Sequence, residues 1–391
     1  MLQQLSSNNN NNKKKYNNEM MSRITQLDLQ YLSLGTISEG TLGSLFGCFK
    51  STLAKLTLYP SSSQYEYLPR LLEHITGINF PNLSSLKLVF VRGITEVNKV
   101  LAFLETILAK QTLTKLSIVS SQTEHNFDGA MPRNHEATKL FERIFGIIAA
   151  KQQDNRIQSL SIAGLHVGCL DTFLRGLSMI KGLKRLNLYS FNNYTYDWID
   201  RFNSGFTEYL KSSTSKSITR LSTPLPVCDT IVSTITNMRG ITRLRMMPLG
   251  IPIYPDTLQQ VGFTNMVSNN YLTRLDLDIH HYLTEDNVDS FTEMLRASKS
   301  LCHLNLGDVK HLHRKQLKKL MASLVGQTNI QTLHYSNSSI LDFDYSQYGS
   351  NVEFDNYYTN DNDHLAIGGL FSGHSINYIN QYTLYFHKVD L

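Results

Sequence analysis

LTRLDL at residues 272–277, preceded by ITRLRM at 241–246 and followed by LCHLNL at 301–306, is the pattern that decides the fold. Each stretch begins with an apolar residue, has leucine at its fourth position and a second apolar residue at its sixth. Positions four and six of an extended strand point to the same side, and positions three and five point to the other. The pattern therefore predicts a short strand with one buried and one polar face.

The same six-residue frame recurs along most of the chain. Eleven copies begin at Ile24, Leu53, Leu83, Leu113, Ile157, Leu183, Ile218, Ile241, Leu272, Leu301 and Ile330. The gaps between them are 29, 30, 30, 44, 26, 35, 23, 31, 29 and 29 residues, and the fourth position is leucine in every copy. An invariant leucine at near-constant spacing indicates an internal repeat rather than chance.

A second apolar pattern with helical spacing follows several frames. After the frame at Leu83 it consists of Val97, Val100, Leu101, Leu104 and Leu108, and after the frame at Leu272 of Val288, Phe291 and Leu295. Apolar residues three and four positions apart predict an amphipathic helix. One strand and one helix cannot bury their own apolar faces, so neighbouring units must stack. The sequence predicts an α/β solenoid.

The period and the L-x-x-L-x-L core resemble the ribonuclease-inhibitor-like class of leucine-rich repeats over residues 22–340. The resemblance implies a horseshoe with parallel strands on a concave face and helices on a convex face, and it implies that the concave face binds a partner. That class usually has Asn or Cys three residues after the frame. This chain instead has Ser61, Val91, Ser121, Leu165, Phe191, His280 and Val309 there. The absence of Asn and Cys at these positions predicts irregular turns after the strands.

Composition changes at both ends of the array. Residues 1–21 are rich in Asn and Lys and are predicted to be a disordered tail. Residues 341–391 are predicted to form an acidic, Tyr-rich loop and a C-terminal capping repeat, with a degenerate twelfth frame beginning at Ile379. A further hypothesis is that the acidic segment 342–363 folds back and masks the concave face.

Charge and cysteine content restrict the compartment and the class of partner. The net charge of +5 over 391 residues is too low to favour nucleic acid. The four cysteines are scattered without a CxxC pair, the amino terminus has no apolar signal-peptide core, and no run of about 18 apolar residues occurs. We expect a cytoplasmic protein without a membrane span, with the nucleus as the alternative compartment.

The polar strand positions are enriched in cations. Position three is basic in six of the eleven frames, at Lys55, Lys115, Arg185, Arg220, Arg243 and Arg274. Arg245 occupies position five, and Tyr59, Tyr189 and Met247 at position seven could serve as apolar anchors. Two interpretations remain open. These residues form a surface for an acidic protein partner, or long cations are only the soluble choice beside a buried leucine.

No sequence motif indicates catalysis. A phosphate-binding glycine loop, a dinucleotide fingerprint, a zinc-protease motif and a nucleophile elbow are all missing. The histidines His280, His281, His303, His311 and His313 lack a second pair at metal-ligand spacing, so we expect no metal, no cofactor and no catalytic residue. The predicted function is a non-enzymatic scaffold or adaptor for a protein partner. The alternative is a GTPase-activating protein of the Ran type, which shares the repeat class. The sequence does not specify the oligomeric state.

Overall fold

The structure is a computed structural model, and its repeats fall into two compact units. It describes residues 24–28, 39–58, 77–90, 97–109, 112–120, 135–150, 156–166, 169–192, 196–223, 229–246, 271–277, 288–308, 315–316, 319–320, 329–336, 374–379 and 383–388. The N unit comprises Met1–Trp198 with Ser212–Ser215, and the C unit comprises Ile199–Lys211 with Lys216–Leu391. The predicted tail 1–21 and the acidic segment 342–363 lie outside the described residues.

In the N unit, strands alternate with helices in chain order. The elements are β1 (Gln26–Asp28), α1 (Glu39–Phe49), β2 (Lys55–Leu58), β3 (Ser85–Phe90), α2 (Val97–Ala109), β4 (Lys115–Ser120), α3 (His135–Ala150), β5 (Ser159–His166), α4 (Leu170–Met179) and β6 (Arg185–Asn192). Each strand pairs in parallel with the next, and the fourth-position leucines lie opposite one another from Leu27 to Leu186. This register is the one that the repeating frame predicts.

The C unit continues the same alternation. It contains most of α5 (Tyr196–Lys211), then β7 (Arg220–Thr223), α6 (Asp229–Asn237), β8 (Arg243–Met246), β9 (Arg274–Leu277), α7 (Val288–Ala297), β10 (His303–Asp308), β11 (Thr332–Ser336), β12 (His374–Ile379) and β13 (Thr383–Lys388). A short 3-10 helix spans Thr214–Ser217. Strands β7 to β11 are parallel, with Leu221, Leu244, Leu275, Leu304 and Leu333 opposite one another in turn.

The last two described strands depart from the repeat. Strand β13 pairs antiparallel with β11, placing Leu384 opposite Leu333, and β12 pairs antiparallel with β13. The frame beginning at Ile379 therefore does not add a twelfth parallel strand, contrary to the sequence interpretation. Two strands separated by only three residues form a hairpin, because a parallel connection needs a crossover of a dozen residues or more.

In each unit, the buried face of the strands carries the predicted leucine ladder. The fourth-position leucines are 0–2% exposed at nine positions: Leu56, Leu86, Leu116, Leu160, Leu186, Leu221, Leu244, Leu275 and Leu304. Leu27, in the first strand, is half-buried. The first-position residues are also buried from Leu53 to Ile330. Full burial of such a side chain contributes about 1.5–3 kcal/mol, so each leucine of the ladder contributes substantially to stability.

The helices cover this buried face as their apolar spacing predicts. Helix α2 begins at Val97 and α7 at Val288, and Phe291 and Leu295 of α7 are fully buried. In the N unit, α3 packs against α4 through the rings of Phe145 and Phe173, whose centroids are 5.0 Å apart. The repeat is thus a strand and a helix sharing one core.

Neighbouring repeats are joined where their strands begin. At nine junctions within the units, the carbonyl of the second frame position accepts two backbone N–H groups from the next repeat, at 2.7–3.1 Å. The hydroxyls of Thr242 and Thr273 donate to the same type of carbonyl, at 3.1 and 3.0 Å. These hydrogen bonds lie where each strand begins. The position at which ribonuclease-inhibitor-like repeats usually have Asn lies beyond the other end of the frame, and in the repeat beginning at Ile157 it holds the fully buried Leu165.

Candidate interaction surface

We call the side of the strands that carries frame positions three and five the open face. In the N unit its third positions run in register through Gln26, Lys55, Ser85, Lys115, Ser159 and Arg185. Lys55 and Lys115 are exposed, but Ser85 lies between them. Cations therefore alternate with neutral residues in the N unit.

The N unit also presents a polar patch with an exposed aromatic ring. The Nδ2 group of Asn187 donates to Oγ of Ser161 at 3.1 Å. Two residues further along β6, Tyr189 is 47% exposed. The register between β5 and β6 shifts at this point, and Gly164 adopts a φ of +73° in β5. A bulge of this kind re-aims side chains, and Tyr189 is available as the apolar anchor that its frame position predicts.

In the C unit the cations are consecutive. Arg220 lies opposite Arg243, and Arg243 lies opposite Arg274. Neighbouring strands are about 4.8 Å apart, so the three residues form an unbroken row. Arg243 is exposed, and Arg220 and Arg274 are half-buried.

The fifth positions of the same strands complete a two-by-three arrangement. Ser222, Arg245 and Asp276 lie opposite one another in that order. We call the six residues at positions three and five of β7, β8 and β9 the arginine grid. It contains four arginines, one serine and one aspartate.

One ion pair lies inside the arginine grid. Nε of Arg274 donates to both carboxylate oxygens of Asp276, at 2.9 and 3.2 Å, within the same strand. The Asp276 side chain is 13% exposed and that of Arg274 is 40% exposed. Asp276 therefore neutralises Arg274 in particular.

His303 extends the third-position row beyond the arginine grid. It lies opposite Arg274 on one side and Thr332 on the other, and its Nδ1 is 3.0 Å from Oγ1 of Thr332. Desolvation lowers the pKa of His303, and the charges of Arg274 and Arg243 lower it further, while Asp276 opposes them. The positive potential of the arginine grid thus reaches the next repeat.

The structure brings together only part of the predicted surface. Arg220, Arg243, Arg245 and Arg274 are grouped in the C unit, whereas Lys55, Lys115 and Arg185 are dispersed among neutral residues in the N unit. Tyr59 and Met247 lie outside the described residues. The sequence interpretation missed Ser222 and Thr332, which are only 6% exposed although they occupy open-face positions. The sequence signal for their low exposure was their small size beside the long basic side chains of neighbouring strands.

Two further features of the described residues bear on function. The part of the chain that the structure describes holds no group of His, Cys, Asp and Glu residues arranged to bind a metal ion. Of the histidines that the sequence groups together, His280, His281, His311 and His313 lie outside the described residues. No helix in the described ranges combines the length and apolar character needed to cross a membrane.

The repeat, the parallel register and the leucine ladder define both units as α/β leucine-rich-repeat solenoids. No family model matches the chain, and no curated protein sequence matches it. A solved structure similar to this chain is the leucine-rich repeat-containing protein LegL7 from Legionella pneumophila. Its TM-score is 0.41 and its sequence identity 17%, over 80% of this chain and 83% of that chain.

Proposed function

We propose that the protein is a non-enzymatic scaffold or adaptor that binds an acidic surface of a protein partner through the arginine grid. The observation that carries this proposal is the unbroken register of Arg220, Arg243 and Arg274 on the open face. A stack of repeats is suited to this role because it presents an extended surface from a rigid core.

Charge supports an acidic partner over a neutral one. The arginine grid carries four cations and one carboxylate, and His303 beside it adds a further cation when protonated. Like charges at strand spacing repel one another, so the isolated protein bears a cost that an acidic partner would remove. Complementary charge also accelerates association and excludes basic competitors.

The alternative of solubility alone makes a different prediction. If the cations serve only to keep the open face hydrated, their reversal should matter no more than reversal elsewhere on the surface. Arg239, Arg296 and Lys299 are exposed cations of the C unit away from the open face, and they supply a matched control.

The test compares two triple variants with equal net charge. Arg220→Glu, Arg243→Glu and Arg274→Glu together should abolish binding of a pool of acidic peptides, measured by fluorescence anisotropy. The control variant, with Arg239, Arg296 and Lys299 changed to Glu, should retain it. Equal binding by the two variants would refute the arginine grid as the contact surface.

The cellular compartment is a separate proposal. We propose that the protein acts in the cytoplasm or the nucleus, on the basis of its four dispersed cysteines. Fractionation of cells that express the tagged full chain tests this, and recovery from the secreted fraction would contradict it.

A further inference from the structure

Two arginines of the grid hold unused hydrogen-bonding capacity. Arg243 and Arg245 lie on the same side of β8, two residues apart, and both are exposed. Among the residues that the structure describes, neither has a carboxylate partner, whereas Arg274 is paired with Asp276. Two residues of a strand span about 6.6 Å, so one compact oxyanion could accept hydrogen bonds from both guanidinium groups.

All four cations of the arginine grid are arginines. The chain has 21 lysines and 16 arginines among its 37 basic residues. Arginine is therefore the less common cation. It nevertheless occupies all four basic positions of the arginine grid, whereas two of the three third-position cations of the N unit, Lys55 and Lys115, are lysines and one, Arg185, is arginine. A guanidinium presents a planar fork that matches the oxygens of phosphate or carboxylate, which an ammonium does not. Solubility requires charge but does not require this fork.

Ser222 provides a small side chain among long ones. It lies opposite Arg245 and two residues from Arg220, and it is 6% exposed although it occupies an open-face position. The long side chains nearest to it in the register are Arg220, Arg243 and Arg245. Three arginines thus occupy the strand positions around one short residue. This arrangement suits a compact tetrahedral group better than a flat surface would.

Asp276 limits the candidate site on the side of β9. It lies opposite Arg245 in β9 and is held by Arg274. Its negative charge would repel an oxyanion above β9, so the favoured position is above β7 and β8. The boundary at Asp276 and the guanidinium groups of Arg243 and Arg245 define a local site rather than a diffuse basic surface.

We propose that the arginine grid binds a phosphorylated side chain of the partner protein, with the phosphate above Ser222 and held by Arg243 and Arg245. This inference rests on the proposed function and narrows it. A phosphate carries a charge of about −1.5 to −2 and three acceptor oxygens, so it can accept from both guanidinium groups at once. A carboxylate is singly charged and is filled by one bidentate arginine.

The experiment uses the full chain and short fluorescent peptide pools with randomised flanking residues. The pools differ only at a central position, which is phosphothreonine, glutamate or threonine. We expect the phosphothreonine pool to bind roughly tenfold tighter than the glutamate pool, since it gains a second charge-assisted pairing. The threonine pool should bind most weakly.

Three double variants, one of them a control, separate geometry from charge. Changing Arg243 and Arg245 to Gln should remove the preference for phosphothreonine, while the control change of Arg239 and Lys299 to Gln should retain it. Changing Arg243 and Arg245 to Lys keeps the charge and removes the fork, so we expect it to reduce the preference for phosphate while binding of the glutamate pool persists. Thermal unfolding of each variant verifies that these exposed substitutions leave the fold intact.

The other outcomes are distinct. If the wild type binds the glutamate and phosphothreonine pools equally well, phosphate recognition is refuted and the acidic-partner function stands. Equal and weak binding of all three pools would refute both proposals. A single-stranded RNA pool serves as the last comparison, and tighter binding of RNA than of phosphopeptide would overturn both in favour of nucleic acid.

Discussion

Gly176 of α4 lies against Phe145 of α3 without room for a methyl group. A Cβ atom at Gly176 would lie 2.8 Å from the Cβ atom of Phe145, closer than non-bonded carbon atoms normally approach. The atom it meets is next to the backbone of α3, so rotation of the Phe145 ring cannot relieve the clash. The close packing of these helices in the N unit depends on this glycine.

We therefore expect Gly176→Ala to lower the free energy of unfolding by about 1–2 kcal/mol, because overpacking outweighs the gain in helix propensity. Gly146 of α3 supplies the control, since a Cβ atom there meets nothing within 4 Å. Gly146→Ala should raise the free energy of unfolding by about 0.5–1 kcal/mol. Urea denaturation measures both, and a stable Gly176→Ala variant would contradict the packing.

Truncation of a ladder leucine should lower the free energy of unfolding most in the middle of the N unit. Leu160 is fully buried, so Leu160→Ala should lower the free energy of unfolding by about 2–5 kcal/mol. Leu27 is half-buried in the first strand, and Leu27→Ala should cost clearly less. Urea denaturation of the two variants measures the difference. Equal losses of unfolding free energy would argue against the partial exposure of Leu27 in the first strand.

Thr223 is an exception at the sixth frame position of the C unit. Its side chain is 1% exposed, and its Oγ1 has no hydrogen-bond partner among the described residues. Thr223→Val removes a buried hydroxyl without changing the shape, so we expect the free energy of unfolding to rise by about 1 kcal/mol. Thr236 is also buried, but its hydroxyl donates to the carbonyl of Val232 at 2.7 Å. Thr236→Val should therefore lower the free energy of unfolding. Thermal unfolding measures both variants, and a stabilised Thr236→Val variant would contradict the contrast between the two hydroxyls.

His303 gives the open face a defined response to pH. Burial and the charges of Arg274 and Arg243 hold the pKa of His303 below its ordinary value. The unfolded chain therefore binds more protons between the two pKa values, and the stability from neutral His303 is lost as the pH falls through that window. His303→Gln should reduce this loss of stability between neutral and mildly acidic pH, measured by thermal unfolding.

The same histidine reports the charge of its neighbours. Asp276→Asn removes an anion, so it should lower the pKa of His303 further. Arg274→Gln should raise that pKa, because it removes a cation and leaves Asp276 uncompensated. An NMR titration of the imidazole protons measures both shifts, and a shift of either variant in the opposite direction would refute the arrangement.

The sequence predicts the buried face well because burial in a repeat is a periodic property. One leucine every 30 residues or so identified the core, from Leu56 to Leu304, and the strand period placed Arg220, Arg243 and Arg274 on the open face. These predictions are confirmed by the register. They need only the two-residue alternation of a strand.

The remaining features depend on geometry that spacing does not encode. Asp276 could pair with Arg245 opposite or Arg274 beside it, and only the side-chain conformations select Arg274. The register shifts beside Tyr189 and Gly164 depend on the local backbone, which the spacing of leucines does not specify. The antiparallel course of β13 was missed because residues 379–384 match the frame closely enough to suggest another parallel strand.

The paired N–H groups that meet each second-position carbonyl also determine where the chain can change in length. At nine junctions the two donors belong to consecutive residues, so inserting or deleting one residue there would disrupt both bonds and the leucine register together. The segments between strands, by contrast, give frame spacings of 23 to 44 residues without altering that register. Evolutionary and engineered insertions should therefore accumulate after the strands, and the repeats should be gained or lost only as whole units.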